Sequence, residues 1–258
     1  MNRRFMTMGT ALALASGIIA ASPGTASAHG RPAAPAPGAS TVYVTHGLPL
    51  DDKGTLVDVF AGPAGSGPAG AAQLADDFAF GRTAGPLSLA AASYSVYLAV
   101  PSAGDDGRLD AGEVIYGQDL TVPAGQNLSV VASFNAAGSP NLAVFVNDLS
   151  PSRWWVGRLS VRHAAAAPAV DVDLGIVPWA REHPALVRTL GPAANGAQAD
   201  IDLLSWKYDV KVRVAGTSTV VAGADGLTVA GRSLTNVYAV GVPGSSFGFV
   251  TQTIPFGR

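Results

Sequence analysis

The sequence has no cysteine among its 258 residues. That absence excludes disulfides, thiolate nucleophiles, cysteine-ligated zinc and a lipid-modified cysteine anchor. Charged residues are also scarce, at 13% of the chain. Beyond residue 28 the basic ones stand singly, so that part of the sequence offers no stripe suited to nucleic acid or anionic lipid. The stability of this protein must therefore come from packing of its apolar side chains.

One long apolar run is present, and it lies at the start of the chain. "MNRRF" is basic, "MTMGTALALASGIIAA" is apolar, and "ASA" ending at Ala28 is a small-residue cleavage signature. The run is shorter than the roughly 20 apolar residues of a membrane span. The pattern predicts a signal peptide over residues 1–28, cleaved after Ala28, and a secreted chain without a membrane span. Loss of two arginines then leaves 14 basic and 18 acidic side chains, a net charge of −4.

The rest of the chain has the composition of short strands. Residues 29–40 are rich in proline and alanine and predict a flexible leader. Beyond it, runs rich in valine, leucine, tyrosine and threonine are bounded by glycine, proline, aspartate and asparagine, without helical periodicity. Six such runs precede residue 150 and six follow it. Only residues 178–190 have a sequence that allows a turn or two of helix.

The two series of runs can be laid over one another. His46 falls on His163 at an offset of 117 residues, and Tyr94 falls on Tyr208 at an offset of 114. A period above 100 residues indicates two domains, which we place at 41–150 and 151–258. Neither copy has the crossover helices that a parallel sheet needs. The sequence therefore predicts an all-β protein with two tandem antiparallel β-sandwich domains.

A family resemblance supports this fold. The run "LSVRHAAAAPAVDVDLG" of the second copy, followed by a Tyr-x-Val strand and a Leu-Thr-Val strand, resembles the bacterial exported domain-of-unknown-function 4397 family. The first copy departs from the pattern through its longer "GLPLDDKGTL" loop, so the second copy is expected to match better. The resemblance implies a secreted immunoglobulin-like or transthyretin-like sandwich, often in tandem, with no assigned activity.

Two histidines are the most prominent candidate site residues. His46 and His163 each end the first strand of a copy and precede a Val-Asp-Val run that contains Asp58 or Asp171. Histidine near aspartate is half of a hydrolytic triad. Repetition at a strand end favours a structural role instead, with the imidazole bonded to loop carbonyls or to that aspartate. "GSSFG" resembles a nucleophile motif, but no acid or histidine follows it, so Ser246 is expected in a turn.

Residues 102–113, "SAGDDGRLDAGE", partly match a calcium-binding loop. The acidic positions of such a loop are filled by Asp106, Asp110 and Glu113. Ser102 and Gly104 stand where the first two acidic ligands belong. Two interpretations stay open: a solvated hairpin loop, or a calcium site of millimolar affinity. The sequence indicates no other cofactor and no other metal site.

Tryptophans supply a second group of candidates. Trp154 and Trp155 open the second copy, where they either pack between the domains, the interpretation we favour, or stack on a ligand. Trp179 and His183 lie in a long connection and are candidate ligand contacts.

Three functions are compatible with these features. The leading prediction is a non-catalytic secreted or cell-envelope protein with a structural or interaction role, whose partner is an unknown protein or glycan. The alternative is a carbohydrate- or peptide-binding module that acts through its end loops, and a hydrolase is the third.

Overall fold

The computed structural model describes residues 38–49, 56–101, 108–177 and 185–256. The predicted signal peptide and nearly all of the leader lie outside these residues. Eight strands form the first sandwich: β1 Ser40–His46, β2 Leu56–Pro63, β3 Ala72–Ala79, β4 Thr83–Leu89, β5 Ala92–Ala99, β6 Val114–Val122, β7 Asn127–Phe134 and β8 Pro140–Val146. Eight form the second: β9 Val156–Ala165, β10 Val170–Ile176, β11 Ala185–Ala193, β12 Gln198–Leu204, β13 Trp206–Val214, β14 Val220–Val229, β15 Ser233–Gly241 and β16 Gly248–Pro255.

The two sandwiches have the same strand order. The first consists of the sheets β4-β1-β7-β8 and β3-β2-β5-β6, and the second of β12-β9-β15-β16 and β11-β10-β13-β14. Adding eight to each strand number of the first gives the second. Pairing is antiparallel except for β1 with β7 and β9 with β15, which are parallel. The predicted fold class is confirmed, with one parallel strand pair in each sandwich.

Alternating side chains build the core of each sandwich. On β2, Val57, Val59 and Ala61 face the opposite sheet, whereas Phe60 packs on the other side with Ala99 and Leu109. Burial of a large apolar side chain contributes roughly 1.5–3 kcal/mol before chain entropy is counted.

A tyrosine hydrogen bond also recurs between the two sandwiches. The Tyr94 hydroxyl donates to the Ala90 carbonyl at 3.1 Å, and the Tyr208 hydroxyl donates to the Leu204 carbonyl at 3.0 Å. In both cases the acceptor is four residues earlier, just before the strand that carries the tyrosine. The two central strands β5 and β13 thus begin with the same packing and bonding.

Four strands were absent from the sequence prediction, and all of them are edge strands. They are β3, β4, β11 and β12, each at the end of its sheet. The helical turn allowed over residues 178–190 is wrong for its second half, because β11 begins at residue 185 and pairs with β10. Residues 178–184 lie outside the described part of the chain.

The sheets β4-β1-β7-β8 and β12-β9-β15-β16 contact each other through their outer faces. We call the apolar side chains at this contact the interdomain core: Val131, Ala143, Phe145, Ala164, Tyr238, Val240 and Val250. The molecule is consequently a stack of four sheets. Within the residues described here, no helix is both long and apolar enough to cross a membrane.

Candidate functional site

His163 has a structural position at the end of β9. It is 2% exposed, its Nε2 donates to the Pro168 carbonyl at 2.9 Å, and its Nδ1 accepts from the Ala165 amide at 3.4 Å. Burial lowers the pKa of the imidazole, against the opposing effect of the Pro168 and Ala167 carbonyls. The side chain ties its strand to the loop that follows.

His46 occupies the same position in the first sandwich. It is fully buried, and its Nδ1 accepts from the Leu48 amide at 3.4 Å, two residues on, as the His163 nitrogen does. Its ring stacks on Phe78 at 5.9 Å and borders an apolar cavity of about 40 Å³ between the sheets. A cavity of that size is far smaller than the roughly 300–1,000 Å³ of a ligand pocket.

The aspartates of the Val-Asp-Val runs bond elsewhere. Asp58 Oδ1 accepts from the Asp77 amide at 2.8 Å, and Asp171 Oδ2 accepts from the Gly216 amide at 2.9 Å. One alternative was that each histidine bonds to the aspartate of its own copy. His163 bonds to Pro168 and Ala165 instead, and Asp58 bonds to the Asp77 amide. The expected place of Ser246 is found, since it lies between β15 and β16 and accepts from the Val242 amide at 3.2 Å.

The predicted calcium loop is only partly described. Asp106 lies outside the described residues, and Asp110 is exposed. Glu113 Oε2 accepts from the Asp110 amide at 2.9 Å, which closes a local turn. Among the described residues, one acidic group has the spacing of metal ligands, and it includes neither Asp110 nor Glu113. That group consists of Asp58, Asp76 and Asp77, whose oxygens lie within 4.8 Å of one another.

We call Asp58, Asp76 and Asp77 the aspartate cluster. Asp58 is fully buried, while Asp76 and Asp77 are exposed. Burial raises the pKa of the Asp58 carboxyl to about 6; the Asp77 amide opposes the rise, and the charges of Asp76 and Asp77 add to it. Sequence reasoning missed the cluster because the acids are 18 residues apart in the chain and meet only through pairing of β2 with β3.

The tryptophan pair is exposed. Trp154 is 73% exposed and Trp155 39%, so the prediction that they pack between the domains is wrong. Their rings meet edge to face at 5.1 Å, and the Arg153 guanidinium lies 5.5 Å from the Trp155 ring. Trp155 borders a shallow groove that continues to Leu204, itself 58% exposed. Trp179 and His183 lie outside the described residues.

A buried arginine holds the two sandwiches together, and sequence reasoning did not identify it. Arg162 has no exposed surface, and it precedes His163 where the first sandwich has Thr45. Its Nη2 donates across the domain contact to Asn147 Oδ1 at 2.7 Å and to the Val146 carbonyl at 3.2 Å. Its Nη1 donates to the Tyr238 hydroxyl at 3.0 Å.

Further polar contacts join the domains around Arg162. Asn236 Nδ2 donates to Asn147 Oδ1 at 3.1 Å, and Asn195 Nδ2 donates to the Phe134 carbonyl at 3.0 Å. Because these donors and acceptors are directional, the contact between the sandwiches is specific as well as apolar.

The family model named "Domain of unknown function (DUF4397)" matches residues 40–173. That span is more than half of the chain, and the chain belongs to this family. It covers the first sandwich together with β9 and part of β10, whereas we expected the second copy to match better. No curated protein matches the chain.

Several solved structures are similar over much of the chain. The fimbrial anchor protein Mfa2 from Porphyromonas gingivalis is 11% identical, with 84% of this chain and 98% of that one covered and a TM-score of 0.28. A putative cell adhesion protein from Bacteroides ovatus is 9% identical, with 88% and 99% covered and a TM-score of 0.28. The Bacillus anthracis TIE protein is 11% identical with a TM-score of 0.24; 80% of this chain covers 34% of that one.

Proposed function

We propose that this protein is a non-catalytic, exported interaction module. Its contact surface is formed by Trp154, Trp155 and Leu204, which we call the junction surface. The observation that carries the proposal is the exposure of this aromatic pair on a scaffold whose other large apolar side chains are mostly buried. Tryptophan is enriched among residues that dominate binding energy, and clustered exposed apolar surface marks interaction sites.

The surroundings of the junction surface suit a binding site. Ser152, Arg153 and Asp202 also line the groove. Asp202 is held by Arg158, whose Nε donates to it at 2.8 Å. An apolar centre with a polar rim is the usual anatomy of an interface.

The architecture supports a binding role over catalysis. The proposed module is rigid because Arg162 and the interdomain core fix one sandwich on the other. His46 and His163, either of which a hydrolase could use as a base, are both buried, and His163 donates to a loop carbonyl. A general base has to reach the proton that it removes.

We further infer that the second sandwich is a second copy of the same family domain and that residues 1–28 are a signal removed after Ala28. Support for the first inference comes from the shared strand order and from the tyrosine bond that recurs at Tyr94 and Tyr208. Support for the second comes from the basic start, the apolar run and the small residues at its end. The site of action is then the medium or the cell envelope.

A carbohydrate ligand is the second candidate, and the groove beside Trp155 favours it. Aromatic rings stack on the apolar faces of sugars, and Ser152, Arg153 and Asp202 supply polar groups along the same groove. The ligand would then lie on the junction surface rather than on end loops.

The test compares two double variants of the purified chain. Trp154→Ala/Trp155→Ala removes the junction surface, and Val220→Ala/Val221→Ala removes exposed apolar side chains on β14 as a matched control. Sedimentation with isolated envelope material should show at least about tenfold weaker binding for the tryptophan variant only. Equal binding by all three proteins would contradict the proposal, as would absence of binding by the wild type.

A second arm identifies the class of partner. Binding that survives protease treatment of the envelope material and persists on purified glycan strands indicates carbohydrate. Binding that is lost after protease indicates a protein partner. Both variants should melt within about 1 °C of the wild type, because the altered side chains are exposed.

A further inference from the structure

Three carboxylates converge at the pairing of β2 with β3. Val57 pairs with Phe78 and Val59 pairs with Ala75, so the single residue Asp58 lies opposite two residues of β3. Those two are Asp76 and Asp77, and this bulge brings the three acids of the aspartate cluster within 4.8 Å. A β-bulge of this kind re-aims side chains and is common beside functional sites.

One oxygen of the cluster is buried without a partner. Asp58 is fully buried, its Oδ1 accepts from the Asp77 amide at 2.8 Å, and its Oδ2 accepts no hydrogen bond from any described group. Asp76 accepts one long bond from Gln73 Nε2 at 3.4 Å. None of the ion pairs among the described residues involves the cluster. A buried carboxylate oxygen without a donor is costly, and a cation would satisfy it.

We propose that Asp58, Asp76 and Asp77 bind a calcium ion. Oxygen ligands select a hard cation, and Ca²⁺ accepts six to eight of them in flexible geometry, whereas Mg²⁺ requires a near-ideal octahedron. Asp58 supplies the buried ligand, and exposed Asp76 and Asp77 leave room for water to complete the shell. The proposal does not depend on the junction surface or on its ligand.

The second sandwich provides a natural comparison. Asp171 is the counterpart of Asp58, and it also lies opposite two residues of a neighbouring strand, since Val170 pairs with Ala193 and Val172 with Leu190. Those two residues are Gly191 and Pro192, which carry no carboxylate. Asp171 Oδ2 already accepts from the Gly216 amide. The calcium site is accordingly assigned to the first sandwich alone.

The experiment is calorimetric titration of the purified chain with CaCl₂, together with melting curves in EDTA and in millimolar CaCl₂. The wild type should bind one ion with a dissociation constant on the order of 10⁻⁴ to 10⁻³ M, and its Tm should rise by a few degrees. Asp58→Asn should weaken binding at least about tenfold. Asp76→Asn/Asp77→Asn should do the same, because it removes two ligands.

Two control variants locate the ion. Asp171→Asn should bind calcium as the wild type does, and so should Asp110→Asn/Glu113→Gln, which alters the loop predicted from the sequence. Unchanged affinity in Asp58→Asn would overturn the proposal, and so would loss of affinity only in the loop variant or no binding by the wild type. If Asp58→Asn fails to fold, the variant at exposed Asp76 and Asp77 decides the question.

Discussion

Truncation of Arg162 is the perturbation that best tests the contact between the two sandwiches. The guanidinium has no exposed surface, and the rings of Phe145 and Tyr238 each lie 5.2 Å from it. Two of its hydrogen bonds cross to Val146 and Asn147 of the first sandwich. The salt bridges among the described residues do not include it. We therefore expect Arg162→Ala to weaken the contact itself.

The magnitude follows from three contributions. Removal of two buried methylenes, Cγ and Cδ, costs about 1.6 kcal/mol at about 0.8 kcal/mol each. Two lost interdomain bonds cost about 0.5–1.5 kcal/mol each, because Asn147 Oδ1 keeps the Asn236 donor. Buried Ser160 Oγ also loses the bond that Arg162 Nε donates to it at 3.2 Å. Arg162 is buried without a carboxylate partner among the described residues, so its truncation also removes the cost of burying that charge, and this gain offsets part of the loss. The free energy of unfolding should fall by about 2–4 kcal/mol in total.

The variant Arg162→Met separates the contribution of the buried aliphatic part of the side chain, its stem, from the contribution of the charged guanidinium. It keeps most of the buried stem and removes the guanidinium, so we expect a loss of about 1 kcal/mol. Exposed Arg82 provides the control, and Arg82→Ala should stay within about 0.5 kcal/mol of the wild type.

Urea unfolding measures each loss, followed by tryptophan fluorescence and by far-UV circular dichroism. Trp154, Trp155 and Trp206 all belong to the second sandwich. In Arg162→Ala the fluorescence and dichroism transitions should separate, because the two sandwiches no longer unfold together. A loss below about 0.5 kcal/mol with coincident transitions would refute the reasoning, and an equal loss in the methionine variant would refute the role given to the stem.

The remaining predictions concern the strand-end histidines and one glycine. His46→Ala and His163→Ala should each lower the free energy of unfolding by roughly 1–3 kcal/mol in urea titrations; unchanged midpoints would return both residues to the functional candidates. Because burial lowers the pKa of His163, its contribution to stability is present above the ordinary histidine pKa of about 6.5 and is lost as the pH falls below it. Urea midpoints at pH 5 and pH 8 should differ less in His163→Gln, which keeps an N–H donor and cannot titrate; an equal difference would contradict the assignment. A Cβ at Gly157 would lie 2.2 Å from the Ala230 carbonyl oxygen, so Gly157→Ala should cost about 1–3 kcal/mol, whereas Gly248→Ala, with open space around it, should be neutral by the same assay.

The sequence pattern identified the strands that have a clear buried face. Tyr208, Val210 and Val212 alternate with polar residues on β13, and such a period of two needs no knowledge of neighbours. Four of the eight edge strands, namely β3, β4, β11 and β12, were missed because pairing on one side relaxes that requirement. On β3, for example, Asp76 and Asp77 are adjacent and exposed, and on β11 the chain includes Gly191 and Pro192.

The histidines differ from the rest of the candidate site because their described contacts are local in the sequence. His46 and His163 became candidates because the repeat places them at equal positions, and the bonds described for them reach partners within five residues in the chain. Local sequence is sufficient for a contact of that kind. The conformation of the loop nevertheless determines that His163 bonds to the Pro168 carbonyl rather than to Asp171.

The sequence by itself determined the all-β class, and it predicted two like halves and the strand-end histidines, because side-chain alternation and repetition can be read without the tertiary structure. Only the tertiary structure decided that Arg162 is buried, that Trp154 is exposed and that Asp58 meets Asp76. Each of those outcomes depends on the register of a strand pair or on the docking of one sheet against another. Such contacts join residues far apart in the chain, and their geometry is set by the summed packing of whole sheets rather than by any short run of residues.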